Sequence, residues 1–163
     1  DVKKLRDKEV FVTISLAGEK DGGLLSILKS SYKHYIKHDS QVIYAPVHQE
    51  KKENVYKQVL ASCSIPVVFA PTVINDKQFV DGGLYDNVPV KPLVDAGCDT
   101  IIVIHLYRFP YFYAKKYPDV TFYSVKPKHS LGGMLNFNKD NAKLRYHQGY
   151  MDMQSFLEQN TII

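Results

Sequence analysis

At 163 residues, with 45% hydrophobic and 23% charged side chains, the chain has the composition of one folded domain, which excludes an intrinsically disordered segment. Its net charge of +4 is dispersed over lysine pairs, and no RNA-binding motif accompanies it, so nucleic acid is not expected as a partner. No apolar run approaches the roughly 20 residues of a membrane-spanning helix, and residues 1–9 are too charged for a secretory leader.

Residues 9–16, EVFVTISL, place Val10, Val12, Ile14 and Leu16 on one face and Phe11 on the other. That pattern predicts a strand covered on both sides. Gly18 and Asp21-Gly22-Gly23 break the chain, and residues 24–28 suggest a short helical turn. Residues 41–48 predict a second strand, with Pro46 placing it at an edge or near its end. A helix follows over 51–62, where Val55, Val59 and Leu60 recur at helical spacing. It stops before Ile65-Pro66, because proline disfavours helical geometry in its predecessor.

Residues 67–69 read as short and extended, and 72–74 and 78–80 flank Asn75-Asp76-Lys77 in the manner of a hairpin. Asp81-Gly82-Gly83 comes next. Residues 90–96 predict a short helix ended by Gly97, and 100–106, TIIVIHL, predict a buried parallel strand. A segment rich in aromatics and lysine spans 107–117, followed by a strand over 120–125 and a loop around Gly132-Gly133. The clearest helix covers 141–159, with Ala142, Tyr146, Gly149 or Tyr150, Met153 and Leu157 on one stripe and Asn138 or Asp140 as its cap. Strands alternating with helices argue for a three-layer α/β fold.

The chemistry concentrates in residues 61–106. Asp81 ends an extended segment and precedes two glycines, which permit close approach of another segment. A carboxylate so placed can stand beside a partner, although Asp-Gly-Gly taken alone is also an ordinary turn. Around it the order is Ala61-Ser62, Ile65-Pro66, Phe69, Pro71, the hairpin into Val80-Asp81-Gly82-Gly83, then Asn87-Val88-Pro89, a helix to Gly97 and the strand over 100–106. That ordered set resembles the patatin-like phospholipase family. The strand over 11–16 and the tail helix over 141–157 resemble it as well, so the likeness runs over nearly the whole chain.

The resemblance implies a three-layer α/β/α sandwich and a lipid acyl hydrolase, a phospholipase or esterase, that needs no metal or organic cofactor. It implies a catalytic dyad in which the aspartate of the D-G-[AG] motif stands beside the serine of a G-x-S-x-G elbow. Asp81 is then the dyad aspartate, and Gly82 and Gly83 complete its motif. A serine hydroxyl needs a base for its proton, and donors at the developing oxyanion supply the largest stabilisation.

The sequence departs from the family at one point: no glycine has a serine two places on, so G-x-S-x-G is absent, and the Gly-rich oxyanion loop is absent too. The expectation is a chain that forms the C-terminal portion of one patatin-like domain, incomplete at its N-terminal side and inactive alone. The serine then comes from an upstream segment or a partner chain. The alternative is a non-catalytic lipid-binding or regulatory domain on the same scaffold, with Asp81 only a turn residue.

Other residues carry weaker signals. Ser62 and Ser64 lack the glycines of a nucleophile elbow, and His34 and His38 lack further metal ligands. Cys63 and Cys98 fit buried thiols in a reducing compartment, hence the cytoplasm. His105 ends a strand, a position where α/β proteins place functional groups. Tyr111, Phe112 and Tyr113, with Lys115 and Lys116 beside them, suit peripheral contact with a membrane, or else pack over a sheet edge.

Overall fold

β-Branched Val10, Val12, Thr13 and Ile14 cluster at and just before the start of the first described strand, a composition that suits a strand packed within a sheet. A computed structural model of the protein describes residues 7–19, 42–66, 68–108, 112–133, 135–136 and 138–161. The expectations for Gly22-Gly23, for the turn over 24–28 and for His34 and His38 lie outside these residues. The fold is mixed α/β and divides into two compact units, Asp1–Pro92 and Leu93–Ile163.

In the first unit, β1 (Phe11–Glu19) lies between β2 (Val42–Pro46) and β4 (Lys77–Asp81), and β3 (Thr72–Ile74) completes the order β2-β1-β4-β3. All three pairings are antiparallel. β1 is covered on both faces as expected. Ile14 packs with Ala45, Ala61 and Ile74, against Val12 and Phe79, while Ala17 packs with Val80 on the other side. β2 is an edge strand among the described residues, and Pro46 ends it. The β3–β4 connection is the two-residue turn Asn75-Asp76, with φ of 49° and 60°. Both values suit a type I′ hairpin, where Asn and Asp tolerate the left-handed region.

α1 (Lys52–Ser62) covers the Ile14 face. Its buried residues are Val55, Gln58 and Ala61, whereas Val59 and Leu60 are exposed. The helix is where the spacing put it, but its inward face is turned away from two of its apolar side chains. Gln58 is held inward by donating to Glu50 at 3.3 Å. Residues 67–69 were expected to be extended. Among the described residues there, the amides of Val68 and Phe69 instead both return to the Ile65 carbonyl, so Val68 and Phe69 belong to a turn.

α2 (Lys91–Asp95) ends as predicted at Gly97, whose φ of +86° is the left-handed stop that glycine adopts freely. In the second unit, β5 (Thr100–Ile104) pairs in parallel with β6 (Thr121–Val125), Thr100 opposite Thr121. The parallel pairing was expected; full burial was not found. Ile101 and Val103 are buried, while Ile102 and Ile104 are exposed. Both cysteines are free and exposed rather than buried.

α3 (Lys139–Gln159) starts at Asn138, whose side chain accepts from the Asp140 and Asn141 amides. Phe156 meets Tyr123 of β6 edge to face at 6.2 Å. A polar ladder then ties α3 to residues 128–133 and to Asn136. Asp152 accepts from the Lys128 amide at 3.2 Å and Gln148 donates to the His129 carbonyl at 2.8 Å. Arg145 donates to the carbonyls of Leu131, Gly133 and Asn136. Those bonds satisfy backbone groups that no strand or helix serves. The apolar stripe read from the sequence is not the packed face of this helix: Tyr146 and Leu157 are exposed.

Candidate functional site around Asp81

Asp81 is the last residue of β4, opposite Ile14 of the central strand. Its amide donates to the Ser64 carbonyl at 3.0 Å, which fixes the strand end against the segment leaving α1. Beyond it the chain tightens into a 3-10 turn, Gly82–Leu84, and the Asp81 Oδ1 accepts from the Gly83 amide at 2.8 Å. The carboxylate is half-buried. One of its oxygens is thus held by the turn that its own motif creates.

The two glycines do different work. A Cβ at Gly82 would lie 2.6 Å from the Thr13 Cγ2 and 2.9 Å from the Ile14 nitrogen, so only glycine lets the turn press against β1. A Cβ at Gly83 would stand 3.1 Å from the Asp81 Oδ1 and crowd the carboxylate itself. The motif therefore seats the turn with its first glycine and clears space at the acid with its second.

The turn is also strapped to the sheet edge. Tyr44 of β2 donates its hydroxyl to Asp86 Oδ2 at 2.5 Å, and Asp86 Oδ1 accepts from the Val88 amide at 3.2 Å. The Asp86 amide returns to the Gly82 carbonyl at 3.0 Å. Sequence reasoning passed over Tyr44 and Asp86; the adjacent Asn87-Val88-Pro89 was the only signal there.

Among the described serines none is presented to Asp81 as a nucleophile. Ser62 donates to the Val59 carbonyl at 2.8 Å. Ser64 is 3% exposed, donates to the Leu60 carbonyl at 2.9 Å and lies 3.2 Å from the Thr72 hydroxyl. Ser15 pairs with Val80, the neighbour of Asp81, so the strand alternation puts it on the opposite face of the sheet. No group of three or more His, Cys, Asp or Glu able to hold a metal ion occurs among the described residues.

In the second unit, His105 continues β5, and its amide donates to the Val125 carbonyl at 2.9 Å. Its Nε2 lies 3.4 Å from the Ser124 hydroxyl. The ring is buried, and desolvation, with the Lys126 charge second, holds its pKa below the ordinary 6.5. Phe112 packs edge to face on Phe122 at 5.0 Å and so closes over the sheet. Tyr113 is exposed, and Tyr111 lies outside the described residues. No helix among the described residues is long and apolar enough to cross a membrane.

Against known proteins, residues 22–94 match the family described as Patatin-like phospholipase. The matched stretch contains Asp81-Gly82-Gly83, Tyr44 and Asp86; the β1 strand and the tail helix α3 lie outside it. The match supports a hydrolase acting on lipids.

Proposed function

From a chain that is patatin-like over residues 22–94, we propose that it supplies the aspartate of a Ser-Asp dyad to a lipid acyl hydrolase. Asp81 takes the proton of a serine that attacks the acyl carbonyl of a phospholipid or related ester. An acyl-serine forms, the alcohol leaves with the proton, and water then releases the acid. The serine comes from an upstream segment or a partner chain, since this sequence contains no G-x-S-x-G. On this reading both units belong to the C-terminal portion of one three-layer patatin-like domain, which works in the cytoplasm at a membrane surface. Among the described residues of 111–113, Tyr113, beside the exposed Lys115 and Lys116, is the aromatic available for lipid contact, because Phe112 is packed on Phe122.

The observation that carries the proposal is the turn at Asp81. Gly82 is pressed on β1, and Gly83 leaves open space beside a carboxylate held by one oxygen. One feature favours the rival reading, a non-catalytic lipid-binding or regulatory domain: Asp81 caps its own turn, as a purely structural aspartate does. Labelling this chain with a fluorophosphonate probe, followed by mass spectrometry, tests the missing nucleophile. No adduct is expected on any serine. A labelled serine within residues 1–163 would overturn the external source.

A further inference from the structure

Asp81 enters its turn from β4, and the far end of that turn is fastened to a different strand. The amides of Tyr85 and Asp86 both donate to the Gly82 carbonyl at 3.0 Å. The Asp86 carboxylate accepts from the Val88 amide at 3.2 Å and from the Tyr44 hydroxyl at 2.5 Å. Tyr44 stands opposite Thr13 in the β1–β2 register, and Thr13 is the residue whose Cγ2 a Cβ at Gly82 would strike. These contacts close a circuit. Tyr44 lies across from Thr13, Thr13 bears on Gly82, Gly82 holds Asp86, and Asp86 returns to Tyr44.

The circuit acts on Asp81 through the backbone. Asp81 pairs with Ile14 and Tyr44 with Thr13, so strand alternation sends the two side chains to opposite faces of the sheet. Tyr44 therefore works from behind the carboxylate. What it governs is the placing of the Gly83 amide, which lies within the turn and donates to Asp81 Oδ1 at 2.8 Å. On the other side, the Asp81 amide is fixed on the Ser64 carbonyl at 3.0 Å. Of these two bonds, the one that orients the carboxylate depends on the turn staying in place. A single 3-10 turn has poor hydrogen-bond geometry of its own, so an outside anchor matters to it. Asp86 supplies that anchor with charge-assisted bonds, which are about twice as strong as neutral ones.

We propose that Asp86, held by Tyr44, is a positioning residue that fixes the turn and so aims the Asp81 carboxylate at the proton it takes. The proposal rests on Asp81 being the base of the dyad. A general base must stand within hydrogen-bond reach of its proton, and a misplacement of about 1 Å can cost roughly a hundredfold in rate.

The test is ester hydrolysis by a polypeptide that carries this sequence together with the segment bearing the serine, with amide NMR of the same polypeptide. Tyr44→Phe is expected to lower kcat per folded molecule about tenfold, with KM changed by less than about twofold. A merely structural bond would lower the folded fraction and leave kcat per folded molecule intact. Asp86→Ala should lower kcat further, and Asp86→Asn, which keeps one acceptor oxygen, should recover part of the loss. The Gly83 amide resonance should move in Tyr44→Phe. In an Asp81→Asn background Tyr44→Phe should cost nothing more, because the charge it aims is gone. Wild-type kcat in folded Tyr44→Phe and Asp86→Ala would overturn the proposal. So would an unmoved Gly83 amide, or a Tyr44→Phe loss of the same factor with and without the Asp81 carboxylate. These failures leave the dyad standing, because Asp81→Asn would still be slow. Wild-type turnover by folded Asp81→Asn would instead remove the base, and the positioning role with it.

Discussion

The Gly83 amide donates to the Asp81 carboxylate across 2.8 Å, so the aspartate organises the turn that presents it. Capping and catalysis use different properties of the side chain. A cap needs an acceptor oxygen, which asparagine keeps; a general base needs the charge, which asparagine loses. Asp81→Asn should therefore leave stability nearly unchanged, and Asp81→Ala should cost about 0.5–2 kcal/mol. Urea titration of both variants checks this. Equal losses would mean that the cap contributes nothing.

Gly82 has no room for a side chain. Gly82→Ala drives a methyl group into Thr13 and the Ile14 backbone, and overpacking of that kind costs about 1–3 kcal/mol. Gly83→Ala meets only the Asp81 carboxylate, so it should cost less stability while displacing the acid. Thermal melts of the two variants order them. A Gly82→Ala chain as stable as the parent would contradict the close approach to β1.

Tyr44 and Asp86 tie the edge strand to the same turn. Tyr44→Phe removes a donor to a carboxylate and should destabilise the first unit by roughly 1.5 kcal/mol. Hydrogen exchange read residue by residue should show the loss as faster exchange at β2 and at Asp86, not at α3.

His105 gives a pH dependence with a definite sign. Its pKa is lowered in the folded chain, so the unfolded chain binds the proton more readily. Stability is then flat above the ordinary value of 6.5 and falls as pH drops through it. His105→Gln should shallow that slope between pH 7.5 and 5.5 in urea midpoints. Identical slopes for the two chains would remove His105 as a cause.

The sequence made some of this legible and concealed the rest for physical reasons. The hairpin was readable because Asn75-Asp76 can adopt positive φ, and the end of α2 because Gly97 can. Asp81 was singled out by the order of motifs around it, and the structure shows the turn it caps, while its role is the proposal made above. Periodicity did less well, because it says which residues share a face and not whether anything covers that face. Val59 and Leu60 lie on the wrong side of α1, and Tyr146 and Leu157 of the α3 stripe are exposed. In β5 a continuous apolar run conceals an alternation of buried Ile101 and Val103 with exposed Ile102 and Ile104. The partners of Arg145, Tyr44 and Ser64 are backbone or distant groups, and no local pattern announces them.

The central claim is that Asp81 is the base of the dyad. The most direct measurement is ester hydrolysis by a polypeptide that carries this sequence together with the segment bearing the serine, as wild type and as Asp81→Asn. The account predicts that the substitution lowers kcat by about 10²–10⁴-fold while the cap and the fold persist. A folded Asp81→Asn enzyme that turns over at the wild-type rate would contradict it and leave Asp81 a turn residue.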